Sequence, residues 1–261
     1  MNGKFMITLV VLLLCVAVSV VGVMKYGEPD DEILQVPQQG EENHQEEADP
    51  EEEEVSEESE PEEEIPAVDP TDTWELLLAN PDNALPADFE VKTAQVQGNF
   101  VMDERVAEQM KLMIADAKAQ GVDLMICSAY RSVTRQQELF DAEVANQMAA
   151  GKSRADAEAI TATMIAVPGT SEHHTGLAAD IVTPTHQTLD PQFADTAAGK
   201  WLLEHAADYG FILRYPEDKQ ETTKIIYESW HYRYVGEEHA KAIKESGLCL
   251  EEYLEQLKEG L

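Results

Sequence analysis

Two short stretches of the sequence concentrate residues that could bind a metal ion. Residues 171–181 read SEHHTGLAADI, with two adjacent histidines ahead of Asp180, and residues 227–234 read YESWHYRY, with Glu228 three positions before His231. Two imidazoles and one carboxylate are a suitable ligand set for zinc, and they leave a fourth position open for water, as catalytic zinc requires. A further carboxylate, Glu228, would then be available as a base.

Each of these residues also has an ordinary structural explanation. A lone His and Asp at this separation more often cap or lie at the surface than bind a metal, and a Glu three residues before a His is common by chance. The helical zinc signature His-Glu-x-x-His is absent from the sequence. A zinc site would therefore have to be assembled from strands and loops, and only the two stretches together favour it.

The elements that must position these residues are mixed helices and strands. Hydrophobic periodicity and Gly or Pro boundaries predict helices over 103–121, 134–150, 153–165, 196–209, 237–247 and 250–260. They predict strands in VDLMICSAY, after the loop within 167–184, and in FILRYP, KIIYES and WHYRYVG. The last three strands are joined by short connections, which favours antiparallel pairing and an α+β class.

Strand periodicity constrains which side chains can meet. Residues three apart on a continuous strand point to opposite faces, so Glu228 and His231 could not both reach one metal ion. We therefore predict that the strand begins at about Trp230, with Glu228 in the preceding bend. By the same argument, only one of His173 and His174 should face Asp180 if the chain is extended there.

The N-terminal segment is predicted to be a membrane anchor. Met6 to Met24 is a run of nineteen residues without a charge, which at ~1.5 Å per residue nearly crosses a hydrocarbon core of ~30 Å. A cleaved signal peptide is the alternative, but the run is long for one and no clear cleavage site follows. We expect a single-pass anchor over 1–25, with the rest of the chain on the outer side of the cell membrane.

A strongly acidic segment separates this anchor from the folded part. Residues 26–70 contain twenty Asp or Glu and no Lys or Arg, and such a segment cannot bury enough apolar surface to fold. We predict a disordered acidic linker over 26–70 and one domain over 71–261. The domain carries sixteen basic and thirty-two acidic side chains, which argues against nucleic acid as a partner. Cys127 and Cys249 could form a disulfide, although Cys127 lies in an apolar run where it would pack as a small hydrophobe.

Together the motifs resemble one family. SEHHTGLAAD resembles the Ser-x-His-x-x-Gly-x-Ala-x-Asp motif of the VanY-type D-alanyl-D-alanine carboxypeptidases, and ESWH resembles their Glu-x-Trp-His motif. SAYRS before Gln136, WELLLANPDNALPADF and YGFILRYP are also similar to family segments, so the resemblance covers most of 72–258. Two departures are Ser229, where Pro is usual, and His174, where Gln is expected.

The resemblance implies a role for each motif residue. His173, Asp180 and His231 would hold one zinc ion, Glu228 would be the catalytic base, and Arg131 would face the reacting carbonyl. Ser171 and Gln136 fall at motif positions near the substrate. The implied fold is a single compact domain with a central, mainly antiparallel sheet flanked by helices.

The function implied by the resemblance is removal of the C-terminal D-alanine from peptidoglycan stem peptides by a zinc enzyme. We expect this enzyme to be a monomer and, because of its N-terminal segment, to be anchored in the membrane. One alternative is an L,D-carboxypeptidase that acts on stem tetrapeptides. Another is a wall-binding module that keeps the zinc site without catalysis, and a third is a purely structural zinc. Retention of Glu228 and Arg131 argues against the second, and a structural site usually closes with four protein ligands.

Overall fold

A computed structural model describes residues 73–260 of the chain. The predicted anchor over 1–25, the predicted linker over 26–70 and residues 71–72 lie outside the described residues. Between residues 73 and 260, none of the helices has both the length and the apolar character needed to cross a bilayer.

The described residues form two antiparallel sheets. In chain order the strands are β1 (Thr93–Gln97), β2 (Phe100–Asp103), β3 (Met125–Ser128), β4 (Ala178–Val182), β5 (Phe211–Tyr215) and β6 (Glu228–Tyr234). β1 and β2 form a hairpin, and the other four form a sheet in the order β3-β4-β6-β5. Each neighbouring pair in this sheet is antiparallel, which confirms the predicted α+β class with a central antiparallel sheet.

Helices lie before, between and after the strands of the larger sheet. They are α1 (Ala107–Ala119), α2 (Val133–Ala149), α3 (Arg154–Ala162), α4 (Ala197–His205), α5 (Gln220–Thr223), α6 (Glu237–Ser246) and α7 (Leu250–Glu259). The hydroxyls of Ser132 and Ser153 cap α2 and α3 by accepting from the backbone N–H three residues on. All six predicted helices are present, with ends that differ from the predicted ones by up to four residues.

The main hydrophobic core covers the central strand β4. All five residues of β4 are buried, and its sequence AADIV places apolar side chains on both faces, as expected of a strand covered on both sides. Met110 and Met113 of α1 belong to the same core as Ile181 of β4 and Trp230 of β6. β4, whose middle residue is the motif residue Asp180, is therefore enclosed in the hydrophobic core.

Two sequence-based predictions are wrong in this region. KIIYES is not a separate strand: α5 ends at Thr223, its C-cap Lys224 adopts a φ of 65°, and the N–H of Ile226 donates to the carbonyl of Thr163 instead of a sheet neighbour. Only Glu228 and Ser229 of this segment are in a strand, as the first two residues of β6. Asp103, predicted as the first residue of a helix over 103–121, is instead the last residue of strand β2, and α1 begins at Ala107. β2 pairs with β1 across a turn at Gly98, which has a φ of 55°. The sequence of these two strands shows only a weak alternation of apolar and polar residues.

The predicted start of β6 at Trp230 is also wrong, because the strand begins at Glu228. Leu213 pairs with Tyr232, while Tyr215 pairs with Glu228, so two steps along β5 match four along β6. The extra residues form a bulge, which locally breaks the two-residue alternation of side chains. Glu228 thus belongs to the strand and still shares a face with His231.

The two cysteines of the domain lie in different settings. Cys127 is in β3, where its thiol donates to the carbonyl of Asp180 at 3.4 Å. Cys249 is buried at the N-terminus of α7. Among residues 73–260, Cys249 forms no disulfide, so the considered bridge to Cys127 is not present.

Candidate metal centre and active site

Three predicted ligands meet where β4 and β6 pair. Asp180 and His231 are direct partners across these strands, and His173 reaches the same point from the turn before β4. The Nε2 of His173 lies 3.3 Å from Asp180 Oδ2, and the Nδ1 of His231 lies 3.0 Å from Asp180 Oδ1. All three residues are buried, and one ligand atom from each lies within 4.8 Å of the others.

The hydrogen bonds of His173 show which of its ring nitrogens faces the centre. Its Nδ1 lies 2.8 Å from the carbonyl oxygen of Ala129, so Nδ1 carries the proton and donates. The Nε2 then has a lone pair directed toward Asp180. The His173 and His231 rings are nearly perpendicular, at 87° with 5.0 Å between centroids, so the two rings present separate edges to one point.

A 3-10 turn over Glu172–Thr175 positions His173. The hydroxyl of Ser171 caps it by accepting from the N–H of His173, and Gly176 ends it with a φ of 71°. A Cβ at Gly176 would lie 2.8 Å from the backbone nitrogen of Asp103, so only glycine fits this close approach. The tight turn thus places His173 next to the start of β4.

His174 points away from the metal centre. Its Nδ1 donates to the carbonyl of Arg131 at 2.7 Å, and its Nε2 accepts from the N–H of Gly169 at 3.1 Å. The two histidines diverge because they lie in a 3-10 turn, where each residue rotates by about 120°, and not because the chain is extended as the sequence argument assumed. His174 therefore ties the Arg131 backbone to the loop at Gly169.

Glu228 is the carboxylate beside the three ligands. Its Oε2 lies 3.6 Å from the Nδ1 of His231. Burial raises its pKa to about 8, with the nearby carboxylate charges of Asp180 and Glu172 adding to the effect. A buried carboxyl with a pKa near neutrality can both accept and return a proton, which is the property of a general base that later acts as an acid.

In the metal-free centre the pKa values of His173 and His231 are shifted in opposite directions. Burial and the charge of Arg131 lower the pKa of His173 to about 4. Burial also disfavours the charged form of His231, but hydrogen bonds to Asp180 and Glu172 outweigh it and raise its pKa to about 9. Burial opposes ionisation of Asp180 too, yet the two histidines hold its pKa well below its usual range. At neutral pH the centre thus contains an ionised Asp180 and a neutral His173.

Arg131 is held over this centre by polar neighbours. Its Nη2 donates to the hydroxyl of Ser128 at 2.5 Å and lies 3.5 Å from Asp180 Oδ2, while its Nη1 donates to Gln136 Oε1 at 2.8 Å. Gln136 is itself fixed by donating to the carbonyl of Ala166 at 2.7 Å. The guanidinium therefore has a defined direction toward the ligands.

The structure thus brings His173, Asp180, His231, Glu228 and Arg131 together. Ser171 and Gln136 lie beside this group, but both are buried and hold other residues of the centre in place. Their assignment to substrate contact stays a prediction.

The sequence reasoning missed the buried charges behind the centre: Glu172 within SEHH, Arg214 within FILRY and Arg233 within HYRYV. A charged residue in the middle of an apolar strand must be paired, and this rule could have found both arginines.

The donor set fits zinc. Tetrahedral zinc binds imidazole nitrogen and carboxylate oxygen at ~2.0–2.2 Å, which places neighbouring ligand atoms ~3.3 Å apart; His173 Nε2 and Asp180 Oδ2 already have this separation. No fourth His, Cys, Asp or Glu completes the cluster within residues 73–260. Three ligands of these types would hold zinc and leave a fourth position for water, which is the arrangement of the class of zinc-dependent hydrolases.

Comparison with known proteins identifies the family. Residues 99–237 match the VanY family, described as D-alanyl-D-alanine carboxypeptidase. A D-alanyl-D-alanine carboxypeptidase of Enterococcus faecalis is 42% identical over 182 residues, which is 69% of this chain and 66% of that protein. The chain belongs to the VanY family of zinc-dependent carboxypeptidases, which confirms the resemblance seen in its motifs.

Solved structures are similar over the same part of the chain. A variant of the vancomycin resistance D,D-pentapeptidase VanY in complex with Zn(II) has a TM-score of 0.64 and 41% identity, covering 70% of this chain and 99% of that one. VanYB in complex with D-alanine-D-alanine has a TM-score of 0.65, 41% identity and coverages of 70% and 98%. The LD-carboxypeptidase LdcB has a TM-score of 0.55, 38% identity and coverages of 68% and 84%. Zinc is thus the cofactor that relatives and donor set both indicate.

Proposed function

We propose that the protein is a zinc carboxypeptidase that removes the C-terminal D-alanine from peptidoglycan stem peptides ending in D-Ala-D-Ala. The observation that carries this proposal is the group of Glu228, Arg131 and the three candidate zinc ligands, which the structure brings together. The Enterococcus faecalis relative is a D-alanyl-D-alanine carboxypeptidase, and VanYB binds D-alanine-D-alanine. Both support this substrate class.

Each residue of the centre has a separate role in the proposed peptide hydrolysis. Held by His173, Asp180 and His231, zinc would polarise the scissile carbonyl and lower the pKa of a water in the open position from ~15.7 to ~7. Glu228 accepts a proton from the attacking water through its carboxylate. It then returns this proton to the departing amine of D-alanine, so the same side chain serves as base and acid.

Arg131 supplies positive charge beside the candidate ligand Asp180, with its Nη2 3.5 Å from Asp180 Oδ2. Its guanidinium is fixed before substrate arrives, by Ser128 and Gln136, so no reorganisation is needed when negative charge develops on the carbonyl oxygen. Fixed donors of this kind are worth ~10²–10³ in rate when they contact the developing charge. The burial of Glu228 and His231 strengthens these charge interactions because little water screens them.

A second activity on the same centre is cleavage of stem tetrapeptides, which end in one D-alanine attached to an L-centre. The similarity to the LD-carboxypeptidase LdcB favours it, because the group of ligands and base would serve either bond. The difference between the two activities depends on the pocket that receives the residue before the scissile bond. We rank the D,D-activity first because the 41% identical structural relatives are VanY proteins.

Incubation of the purified full chain with defined pentapeptide and tetrapeptide stems tests these activities. Release of D-alanine from the pentapeptide, stopped by a chelator and restored by Zn²⁺, is the expected result. Release from the tetrapeptide alone would assign the L,D-activity. Zinc binding without release from either stem would contradict an enzymatic function and favour a wall-binding module.

The same proposal places the enzyme on the outer side of the cell membrane as a monomer. Its support is the uncharged run from Met6 to Met24 and the twenty acidic residues between 26 and 70, which would let the domain move above the membrane and sample the wall. The N-terminus of the protein isolated from cells tests the anchor. Membrane-bound protein that retains residues 1–25 is expected, whereas released protein that starts after residue 26 would show a cleaved signal peptide.

A further inference from the structure

A buried carboxylate lies behind His231, on the side opposite the metal centre. The Oε2 of Glu172 is 3.5 Å from His231 Nε2, and both residues are almost fully buried. Among the described residues, neither of these two atoms has another hydrogen-bond partner. Two buried polar atoms that face each other and have no other partner are expected to pair, since a buried donor or acceptor left alone keeps its full desolvation penalty.

We propose that Glu172 is a positioning residue for the metal centre: it accepts the Nε2–H of His231 and thereby fixes Nδ1 as the nitrogen that binds zinc. His231 Nδ1 points to Asp180 at 3.0 Å, so its lone pair faces the centre when the proton is on Nε2. Ligands around tetrahedral zinc lie ~3.3 Å apart. The 3.0 Å between His231 Nδ1 and Asp180 Oδ1 is close to this value.

Glu172 is itself held rigidly by two arginines. Its Oε1 accepts from Arg214 Nε at 2.7 Å and from Arg233 Nη1 at 2.8 Å, and both arginines are fully buried. The second carboxylate in the network is Glu251 of α7, which receives Arg214 Nη1 and Nη2 at 2.8 and 2.6 Å. Because Oε1 is committed to the arginines, only Oε2 is available to His231.

This arrangement predicts the effect of two substitutions. In Glu172→Gln, the two arginines require an acceptor, so the amide oxygen stays with them and the NH₂ group faces the Nε2–H of His231. Two donors then oppose each other. In Glu172→Asp, the charge that balances Arg214 and Arg233 is kept, but the side chain is one methylene shorter and cannot serve the arginines and His231 together. Both variants should lose the support of His231, and only the first loses the charge.

The test has one measurement on the wild-type protein. In the zinc-loaded full chain, nitrogen NMR of the histidine rings should show His231 with metal at Nδ1 and a proton at Nε2, and His173 with the opposite arrangement. Metal at Nε2 of His231 would overturn the proposal, because that nitrogen could not then donate to Glu172. This measurement requires no substitution and therefore no assumption about folding of a variant.

The second measurement is zinc affinity, determined by chelator competition with Zn²⁺ alone. Outer carboxylates that orient a metal-binding histidine typically contribute ~10–100-fold to affinity, so both Glu172 variants should bind zinc that much more weakly. The control is Glu252→Gln on α7, at the position next to Glu251. It removes the 3.0 Å ion pair with Lys219 and should change zinc affinity less than twofold. Wild-type affinity in either folded Glu172 variant would also overturn the proposal. If Glu172→Gln does not fold, Glu172→Asp and the wild-type spectrum decide.

The proposal rests on the zinc carboxypeptidase function, but it fails separately from it. Ring protonation and zinc affinity are read without substrate, so they test Glu172 even if no stem peptide is cleaved. Conversely, absence of D-alanine release with the expected spectrum would contradict the proposed function and leave the role of Glu172 intact.

Discussion

Glu228 Oε2 lies 3.6 Å from His231 Nδ1 although the two residues are three positions apart on one strand. A regular strand would point them to opposite faces. The bulge in β6 opposite Leu213 and Tyr215 turns both toward the metal centre. The predicted base and a predicted ligand therefore share one rigid segment, and their separation does not depend on a loop.

Removal of the Glu228 carboxylate should abolish turnover but not metal binding. We expect Glu228→Gln to lower kcat/KM for a D-Ala-D-Ala stem by ~10²–10⁴-fold, the usual contribution of a general acid-base, with one zinc retained per chain. Steady-state kinetics and metal analysis check this. Glu217→Gln, an exposed residue after β5, is the control and should behave as wild type. Loss of zinc in Glu228→Gln would show that Glu228 is a ligand.

The adjacent histidines should differ sharply when each is replaced. His173→Ala removes a nitrogen 3.3 Å from Asp180 and is expected to weaken zinc binding by more than ~100-fold, beyond the loss caused by removing a supporting residue. His174→Ala should keep zinc affinity within about tenfold of wild type and instead lower kcat/KM, because Arg131 loses its tie to Gly169. Chelator competition measures the zinc affinity of the two variants, and steady-state kinetics measure kcat/KM. The reverse order would assign the metal to His174.

Two glycines with similar backbone conformation should respond differently to alanine. Gly176 and Gly247 have φ values of 71° and 68°, so both substitutions carry a left-handed backbone cost of ~1–2 kcal/mol. Only at Gly176 does the new Cβ meet the Asp103 backbone, at 2.8 Å; at Gly247 nothing lies within 4 Å. Urea unfolding should show Gly176→Ala to be less stable than Gly247→Ala by at least ~1 kcal/mol. Equal losses would mean that the Asp103 segment moves without cost.

Zinc affinity should depend on pH through His231. In the metal-free protein its pKa is raised to about 9, so below this value a proton on Nδ1 competes with the metal. The apparent affinity should fall ~10-fold for each unit of pH from 8 to 6 on account of this proton. His173, whose pKa is lowered to about 4, should not compete in this range. Competition titrations at pH 6, 7 and 8 measure the slope, and a flat profile would contradict the raised pKa of His231.

Much of this architecture could be predicted from local sequence. Apolar periodicity located the helices and strands β3, β4 and β5, because each buries one face or both faces of a short regular segment. The residue types and order of the two motifs indicated zinc and selected His173, Asp180, His231 and Glu228. These features depend on residues close to one another in the chain.

The remainder depends on contacts between distant segments. The bulge in β6 arises only when β5 pairs with it, so a strand pattern could not locate Glu228 correctly. The 3-10 turn at Glu172–Thr175 is fixed by the approach of Gly176 to Asp103, which lies about seventy positions earlier. The partners of Arg214 and Arg233 come from both sides of the motif region, and a local pattern cannot identify such partners.

The buried arginines also determine how long a segment must be exchanged when chimeras are made between relatives. Arg233 Nη2 donates to the carbonyls of Glu75 and Leu77, and Arg214 binds Glu251; these partners lie outside the family-matched span of 99–237. If that span alone were grafted, the guanidinium groups of Arg214 and Arg233 would stay next to Glu172 but would lose most of their other acceptors. Chimeras between relatives should therefore exchange residues 73–260 as one block, with both flanks from the same parent as the two arginines.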